Sequence, residues 1–483
     1  YRNIFIALSP EAQEIITAGN VILYIPEIHN LVRTSGTAYL SAADGLMPIL
    51  KDNAFPMIGA TYPREHKQLI EPRSDFAGLF EKIMVEEISE DEAETILTYD
   101  ALLLEDESKI FISFGAVKSA VKLAKKYLHN RFLPTSAEEL LKSAIATAAR
   151  RGDKFVGPEQ VTSAAEEKVN VPIHEATRRE AEELLNLEET IHWSLINQDE
   201  AVKAVADALR EYRSGLTRQG GPIASFLFIG PTGVGKTELS KILARLQFGS
   251  EEAMVRFDMT EYQDKQSLFR FIGSPDGNIS GALTDAVLQK PYCLVLLDEF
   301  EKAYPDIMNL FLQVLDDGRL TDNLGRTVDF TNTIVIATSN AHSDLINQSL
   351  RAGQTMLQIA EYIKSRLTDV FKPELLNRFS KIIVFRDLSP AEVEKIAEIN
   401  LKSLAKTVAE QGIVLEFDPS AVKQVAKLGY NPAFGARPLR RVIDDQVRAP
   451  LAKQILKKDA ARGEKIRLVF QGEEFKFEEV KPQ

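Results

Sequence analysis

The chain has a single cysteine, Cys293, among its 483 residues. One thiol cannot build a disulfide framework, so the sequence favours a reducing compartment, and we predict a cytoplasmic protein. The six histidines are scattered without the spacing of metal ligands, and none is predicted to bind a metal. No run of eighteen apolar residues and no signal peptide is found, so no membrane partner is evident in this chain.

Positive charge is also in deficit. The chain has 58 Lys and Arg against 70 Asp and Glu, a formal net charge of −12 at pH 7. Binding to a nucleic-acid backbone needs clustered Lys and Arg, so nucleic acid is not expected as a partner. Hydrophobic residues make up 45% of the chain, which is enough for buried cores, and the length of 483 residues leaves room for two to four domains.

A glycine-rich motif stands out at residues 230–237, which read GPTGVGKT and follow an apolar run at 225–229. A buried strand that leads into such a turn and then into a helix is the context that a phosphate-binding P-loop requires. The backbone N–H groups of the turn surround phosphate oxygens, and the helix N-terminus adds positive potential. We therefore predict that the chain binds ATP with Mg²⁺.

The predicted nucleotide contacts lie on this loop and at the start of the helix. Lys236 is expected to reach the β and γ phosphates, and the Thr237 hydroxyl is expected to hold Mg²⁺. The full set is Gly230, Pro231, Thr232, Gly233, Val234, Gly235, Lys236, Thr237 and Glu238.

Two further apolar runs end in polar residues. Residues 293–297 lead into Asp298 and Glu299, an acidic pair at the carboxyl end of a predicted buried parallel strand. Such a pair suits Mg²⁺ held through Asp298, directly or through water, with Glu299 polarising the attacking water. Residues 333–338 lead into Ser339 and Asn340, and Asn340 is predicted to orient the same water.

Residues 191–483 resemble the second ATPase domain of the Clp-type AAA+ unfoldases, the ClpB/ClpC group. The resemblance is carried by seven stretches, INQDEAV at 196–202, GPTGVGKT at 230–237, LDEFEKA at 297–303, LQVLDDGRLTD at 312–322, GRTVDF at 325–330, KPELLNR at 372–378 and FGARPLR at 434–440.

The resemblance implies roles that the motifs alone do not. Arg378 would be the arginine finger that reaches the nucleotide of a neighbouring subunit, and Arg437 the sensor-2 arginine on the γ phosphate. Leu195 and Ile196 would line the adenine pocket. Because the finger acts in trans, the resemblance also implies a homo-hexamer that acts on protein substrates.

We expect an α/β fold of P-loop AAA+ domains, each a parallel sheet flanked by helices and followed by a small subdomain, helical in the first module and α+β at the C-terminus. The predicted boundaries are residues 1–85 for a degenerate, truncated AAA+ large subdomain and 86–165 for its helical subdomain. A linker follows at 166–190, then the intact ATPase large subdomain at 191–385 and the C-terminal subdomain at 386–483.

The first module keeps the strand pattern of the family but not its chemistry. Residues 20–25 resemble the Walker B strand, yet Pro26 stands where the family has its Asp and offers no side-chain oxygen to Mg²⁺. Residues 55–61 resemble the sensor-1 strand. The expected pair of arginines is replaced by Gly78 and Leu79, and the expected sensor-2 lysine by Ser136.

Three other family features are missing or altered. Residues 134–161 are too few for a coiled-coil middle domain. The pore loop at 272–281 is short and carries Asn278 at the aromatic position, with Ile279 as a smaller apolar neighbour, and Tyr1 is a second candidate pore aromatic. Residues 341–358 contain no Ile-Gly-Phe-like tripeptide, so docking to a ClpP-type protease is disfavoured.

The sequence leaves two functions open. The first is an ATP-hydrolysing ring that remodels or unfolds proteins, with the second ATPase domain as its only motor. The second is a non-threading assembly or regulatory module, which the altered pore loop favours. A helicase or clamp loader ranks third, because it needs a basic channel that an acidic chain does not indicate.

Overall fold

The computed structural model describes residues 17–33, 41–51, 56–128, 131–169, 178–216, 220–431, 434–456 and 465–479. The chain divides into two compact units. The first contains residues 1–88, 273–280 and 323–325, and the second contains the remainder. Among the described residues, no helix combines the length and hydrophobicity needed to cross a membrane.

The first unit contains a small parallel sheet. Strands β1 (Leu23–Ile25) and β2 (Met57–Gly59) pair with Leu23 opposite Met57, at the positions predicted for the Walker B and sensor-1 strands; Phe55 lies outside the described residues. Its buried core consists of Ile28, Val32, Ala43, Ile70 and Phe76. The helices are His29–Val32, Ala42–Lys51, Pro63–Glu65, which continues as a π-helical turn over His66–Ile70, and Ser74–Ala77.

The second unit begins with a helical subdomain. Ser89 caps its first helix, because the Glu92 N–H donates to Ser89 Oγ at 3.3 Å and the Ser89 N–H donates to Glu92 Oε2 at 2.9 Å. The predicted helical character is confirmed, with the addition of two short paired strands, β3 (Phe111–Ile112) and β4 (Phe155–Val156). The helices are Glu90–Ser108, Phe114–Tyr127, Thr135–Arg151 and Pro158–Val169, and the last runs across the boundary predicted at 165.

Three helices connect this subdomain to the large sheet. They are Arg178–Leu185, Leu187–His192 and Asp199–Arg213. Residues 170–177 of the predicted linker lie outside the described residues. The helix Asp199–Arg213 buries Val202, Val205 and Leu209, whose spacing of three and four places them on one face.

The large sheet has five strands and is entirely parallel, as expected for an α/β fold. In chain order the strands of this module are β5 (Ala224–Ile229), β6 (Met254–Asp258), β7 (Leu294–Asp298), β8 (Arg319–Thr321), β9 (Thr327–Asp329), β10 (Ile334–Ser339) and β11 (Lys381–Val384). The sheet order is β11-β5-β10-β7-β6, and β8 and β9 form a separate antiparallel hairpin.

Alternate residues of the central strands supply two different cores. In β5, Leu227 and Ile229 belong to one buried cluster, whereas Phe226 and Phe228 belong to the other. Helices cover both faces, which explains why these strands are continuous apolar runs. The helices are Lys236–Phe248, Lys265–Ile272, Ala282–Gln289, Pro305–Asp317, Ser343–Arg351, Met356–Arg366 and Pro373–Leu376.

The C-terminal subdomain is α+β, as expected. Ser389 caps its first helix with Pro390 at the first helical position. Strands β12 (Val414–Phe417), β13 (Lys465–Gln471) and β14 (Glu474–Glu479) form a mixed sheet in that order. The helices are Pro390–Ala409, Pro419–Gly429, Leu439–Ile443 and Ala449–Leu456, the last two joined by a π-helical turn over Asp444–Arg448.

Candidate functional site

The glycine-rich loop joins the end of β5 to the helix that begins at Lys236, as predicted. All three of its glycines have positive φ, namely Gly230 at +153°, Gly233 at +78° and Gly235 at +109°. A Cβ at Gly230 would lie 2.7 Å from the Phe385 carbonyl oxygen. These positions therefore need glycine both for backbone conformation and for close packing.

The Lys236 ammonium is buried within the loop, with 7% of the residue exposed. Its Nζ, which has three hydrogens to share, lies within hydrogen-bonding distance of four oxygens, those of the Gly230, Pro231 (3.1 Å) and Ser339 (3.2 Å) carbonyls and Asn340 Oδ1 (2.7 Å). The lysine is thus connected to the end of β10 as well as to its own loop, and the structure brings together Lys236 and Asn340.

Burial lowers the pKa of Lys236 to about 8, since the charged form loses solvation. The carboxylates of Glu301, Asp298 and Glu299 act in the opposite direction. The lysine is therefore held beside a cluster of three acidic side chains at the ends of the central strands.

The acidic pair lies where β7 ends. Thr338 of the neighbouring strand β10 donates its hydroxyl hydrogen to Asp298 Oδ1, and its Oγ1 accepts the Glu299 N–H at 3.2 Å. Arg256 of β6 approaches the other oxygen of Asp298 at 2.5 Å. Sequence reasoning missed Thr338 and Arg256, because their strands become neighbours of β7 only through the sheet order.

Asn340 is positioned by a third acidic residue. Its backbone N–H donates to Glu301 Oε1 at 3.0 Å. The other oxygen, Glu301 Oε2, is buried and has no hydrogen-bond partner among the described residues. Glu301 lies in the matched stretch 297–303, but no pattern in the sequence singled it out as a neighbour of Asn340.

The C-terminal subdomain reaches the glycine-rich loop through the segment that contains Arg437. The Ala436 N–H donates to the Gly233 carbonyl at 3.3 Å. A Cβ on Gly233 would lie 2.1 Å from the Phe434 oxygen and 3.1 Å from the Arg437 nitrogen. The backbone at Arg437 therefore lies directly against the loop. The Arg437 side chain is exposed.

Arg437 also acts electrostatically on the end of β6. The pKa of Asp258 is lowered, first by the hydrogen bond from Thr260 and also by the positive charges of Arg256 and Arg437. Asp258 stands opposite Asp298 in the sheet register. The charge of Arg437 is therefore felt at the same sheet edge as the acidic pair.

The predicted adenine-pocket residues lie on the other side of the loop. Leu195 is buried, and a Cβ on Gly235 would lie 2.8 Å from its Cδ1 atom; Ile196 is half-buried. The nearby Gln198 is a further residue that sequence reasoning missed. Its amide donates to the Val234 carbonyl at 3.3 Å and to the Arg386 carbonyl at 2.9 Å, which ties the loop to the start of the C-terminal subdomain.

Arg378 lies apart from this cluster, at the end of the short helix Pro373–Leu376. Its Nε donates to Asp316 and its Nη1 to the Glu374 carbonyl at 3.1 Å, and a third of its side chain is exposed. Among the described residues, the Arg378 side chain makes no hydrogen bond to the glycine-rich loop of its own chain.

The first unit keeps the backbone conformation of the acidic site but lacks the carboxylate that would bind Mg²⁺. Glu27 has φ +52°, close to the +54° of Glu299, but the residue before it is Pro26. His29 Nδ1 lies 3.0 Å from Thr61 Oγ1 where the two strands end. In the second unit, Ser136, which stands where the resemblance predicts the sensor-2 lysine of the first module, is buried.

The loop at 273–280 presents few free polar groups. The Asn278 amide donates to Asp276 Oδ2 at 2.6 Å, so it is used within the loop. Ile279 is 44% exposed. Tyr1, the other candidate pore residue, lies outside the described residues.

Comparison with known families agrees with this geometry. Residues 221–382 match the AAA domain (Cdc48 subfamily), residues 388–468 match the C-terminal, D2-small domain of ClpB protein, and residues 89–207 match an AAA lid domain. A parallel sheet with a P-loop, followed by a small α+β subdomain that reaches that loop, defines an AAA+ module.

Individual relatives narrow the class. An ATP-dependent Clp protease ATP-binding subunit ClpA homolog of Guillardia theta is 38% identical, over 93% of this chain and 65% of the relative. Negative regulator of genetic competence ClpC/MecB of Bacillus subtilis is 35% identical, over 96% of this chain and 66% of the relative.

Among solved structures, the S. cerevisiae Hsp104–ADP complex is similar with a TM-score of 0.73 and 34% identity, over 98% of this chain and 82% of that chain. The chain belongs to the Clp-type AAA+ family. It spans about 65% of the length of the curated relatives that it matches.

Proposed function

We propose that the chain is an ATP-hydrolysing Clp-type motor that remodels or unfolds protein substrates. The observation that carries the proposal is the meeting of Lys236, the Asp298–Glu299 pair and Asn340 at one edge of the sheet. A buried lysine next to a glycine-rich turn, with carboxylates within its field, suits the binding and hydrolysis of a nucleoside triphosphate.

The loop fits a triphosphate and Mg²⁺. Three positive-φ glycines leave no Cβ on the inner turn, Thr237 is half-buried at the start of the helix, and the Asp298 carboxylate is 18% exposed. Thr237 and Asp298 would hold the metal, which would neutralise charge on the phosphates.

Each protein group then has one task. Lys236 binds the β and γ phosphates, which requires that it leave some of its present carbonyl partners. Glu299 polarises the attacking water, and Asn340 orients it. Glu301 accepts a hydrogen bond from the backbone N–H of Asn340 and so fixes the position of this residue at the end of β10.

We further propose that the second module is the only motor and works in a homo-hexameric ring. Pro26 removes the metal-binding oxygen from the first module. In the part of the chain that the structure describes, the Arg378 side chain bonds to Asp316 and to the Glu374 carbonyl rather than to the glycine-rich loop, which supports a role at a neighbouring subunit. Arg437, held against Gly233, would contact the γ phosphate from within the same chain.

Protein substrates are proposed from the relatives, which include proteins named as Clp protease ATP-binding subunits and as Chaperone protein ClpB. Docking to a ClpP-type protease remains disfavoured on the sequence of residues 341–358, which form the helix Ser343–Arg351 and the start of the next helix. A cytoplasmic location and the absence of a nucleic-acid partner remain predictions.

One observation favours the second candidate function. The Asn278 side-chain amide is bonded to Asp276. The loop at 273–280 contains no aromatic residue and offers a substrate only Pro275 and Ile279 as exposed apolar side chains. A non-threading assembly or regulatory module would not need more.

The test separates ATP binding from turnover. Glu299→Gln should keep ATP affinity and ring assembly while turnover falls by orders of magnitude, because only water activation is lost. Lys236→Ala should weaken binding itself. Glu361→Gln, an exposed glutamate elsewhere, is the matched control and should change neither quantity.

Equal loss of ATP affinity in the Glu299 and Lys236 variants would contradict the assigned roles. ATP-dependent unfolding of a fluorescent tagged protein then distinguishes the two functions. A motor unfolds it, whereas the regulatory module hydrolyses ATP and leaves it folded.

A further inference from the structure

The loop at 273–280 belongs to the first unit by its contacts, although it lies between two helices of the second module. The contact is made by Gln68, on the π-helical turn His66–Ile70 that follows strand β2. The Gln68 side-chain amide donates to the Gly277 carbonyl at 3.2 Å.

The fit around Gly277 is close. This residue has φ +75°, and a Cβ there would lie 2.0 Å from Gln68 Nε2 and 3.2 Å from Gln68 Cγ. L side chains rarely adopt this conformation, and a Cβ at this position would displace the Gln68 amide, so glycine suits both the conformation and the contact. Gln68 itself is half-buried.

A second connection reaches the start of the loop. Lys67, next to Gln68, donates from Nζ to the Asn323 carbonyl at 3.5 Å. The Asn323 side-chain amide donates to the Gly273 carbonyl at 2.6 Å. The turn at 66–70 is therefore linked to the loop directly at Gly277 and through Asn323 at Gly273.

The loop is closed by its own hydrogen bonds. The Ser274 N–H donates to the Ile279 carbonyl and the Ile279 N–H to Ser274 Oγ, both at 2.9 Å. Asp276 accepts from the backbone N–H and the amide of Asn278. The result is a compact turn that leaves the Ile279 side chain 44% exposed.

We propose that Gln68 is a positioning residue, through which the degenerate first module holds the 273–280 loop in one shape. The first module lacks the Asp that nucleotide hydrolysis requires, but it would still contribute to the active module by fixing the loop that presents Ile279. The positioning of the loop by Gln68 is independent of the proposed function. The effect of that positioning on substrate binding rests on the proposed function.

Cysteine trapping tests the contact without any nucleotide. In a Gln68→Cys/Gly277→Cys variant the sulfur of residue 68 can take the place of Gln68 Cγ, 3.2 Å from the Cβ position of residue 277, which is close enough for a disulfide. The one native thiol, Cys293, is buried and does not compete. The control pair is Gln68→Cys/Gly353→Cys, because Gly353 has φ +77° and no heavy atom within 4 Å of its Cβ position.

Mild oxidation followed by mass spectrometry of non-reduced peptides should find the intrachain disulfide in most molecules of the first pair and in few of the control. Similar yields in the two pairs would overturn the proposal. A first pair that cross-links only after denaturation would overturn it as well.

Hydrogen exchange tests the hold in the full chain. Gln68→Ala should speed amide exchange at residues 274–279 by roughly five-fold, the factor expected for one lost hydrogen bond. Gln68→Lys, which keeps a donor of similar reach, should restore protection. Glu71→Ala, on the exposed residue that follows the turn, should leave exchange unchanged.

Catalytic readouts separate this idea from the proposed function. Basal ATP turnover of Gln68→Ala should equal that of the wild type, while the KM for a protein substrate rises. Unchanged exchange at 274–279 in Gln68→Ala would refute the hold, whatever the activity. Faster exchange in a chain that never hydrolyses ATP would leave the hold standing and refute the motor.

Discussion

The contact between Gly233 and the segment 434–437 makes a quantitative prediction for Gly233→Ala. The φ of +78° costs an L residue about 1–2 kcal/mol in the folded chain. The new Cβ would also lie 2.1 Å from the Phe434 oxygen, so the segment must move by more than an ångström. That movement breaks the Ala436 N–H bond to Gly233, worth about 1 kcal/mol.

Gly353→Ala separates these contributions. Gly353 has φ +77°, and its Cβ position has open space around it. We expect this control to lose only the conformational cost of about 1–2 kcal/mol. Gly233→Ala should lose about 1 kcal/mol or more beyond that, which corresponds to at least roughly five-fold more of the undocked segment.

Thermal unfolding of both variants measures the total cost, and hydrogen exchange at residues 434–440 measures docking. Exchange should speed up in Gly233→Ala and not in Gly353→Ala. ATP affinity or turnover should fall with it, because the Arg437 backbone moves with Phe434. If both variants show wild-type exchange at 434–440, the loop and the C-terminal subdomain are not packed as described.

Three further predictions concern the site and the loop. Arg378→Ala should abolish turnover without loss of bound ATP, and mixing it with Glu299→Gln subunits should restore some turnover; verified co-assembly without any gain would exclude catalysis in trans. Thr338→Val should lower turnover about ten-fold or more and cost about 1–3 kcal/mol of stability, because the Glu299 N–H loses its acceptor, whereas Thr338→Ser should be close to wild type. Ile279→Ala should reduce unfolding of a stable fluorescent substrate at unchanged ATP turnover, and unaltered unfolding would place the substrate contact elsewhere.

Local sequence was sufficient for the glycine-rich loop and for the strand and helix that flank it. Strand β5 and the helix at Lys236 were predictable because a buried strand of a parallel sheet is a continuous apolar run, and a P-loop has a fixed spacing. The caps at Ser89 and Ser389 were predictable for the same reason, since a capping box involves residues only three positions apart.

The partners of those residues were not predictable in this way. Thr338 meets Asp298 across two strands separated by about forty residues, and Glu301 meets Asn340 at a similar separation. Nothing in the spacing of either pair encodes the contact, because sheet order is decided by how the helices pack on both faces.

The sequence by itself determined that this chain has a P-loop module with an intact acidic pair and a first module in which Pro26 replaces the Asp of that pair. Both follow from the identity of single side chains, such as Asp298 and Pro26, at the ends of recognisable strands. Only the tertiary structure decided that Arg437 is held on Gly233 and that Gln68 reaches Gly277. These contacts join residues about two hundred positions apart, and they depend on the shape of the backbone at positive-φ glycines, where a missing Cβ lets another segment approach.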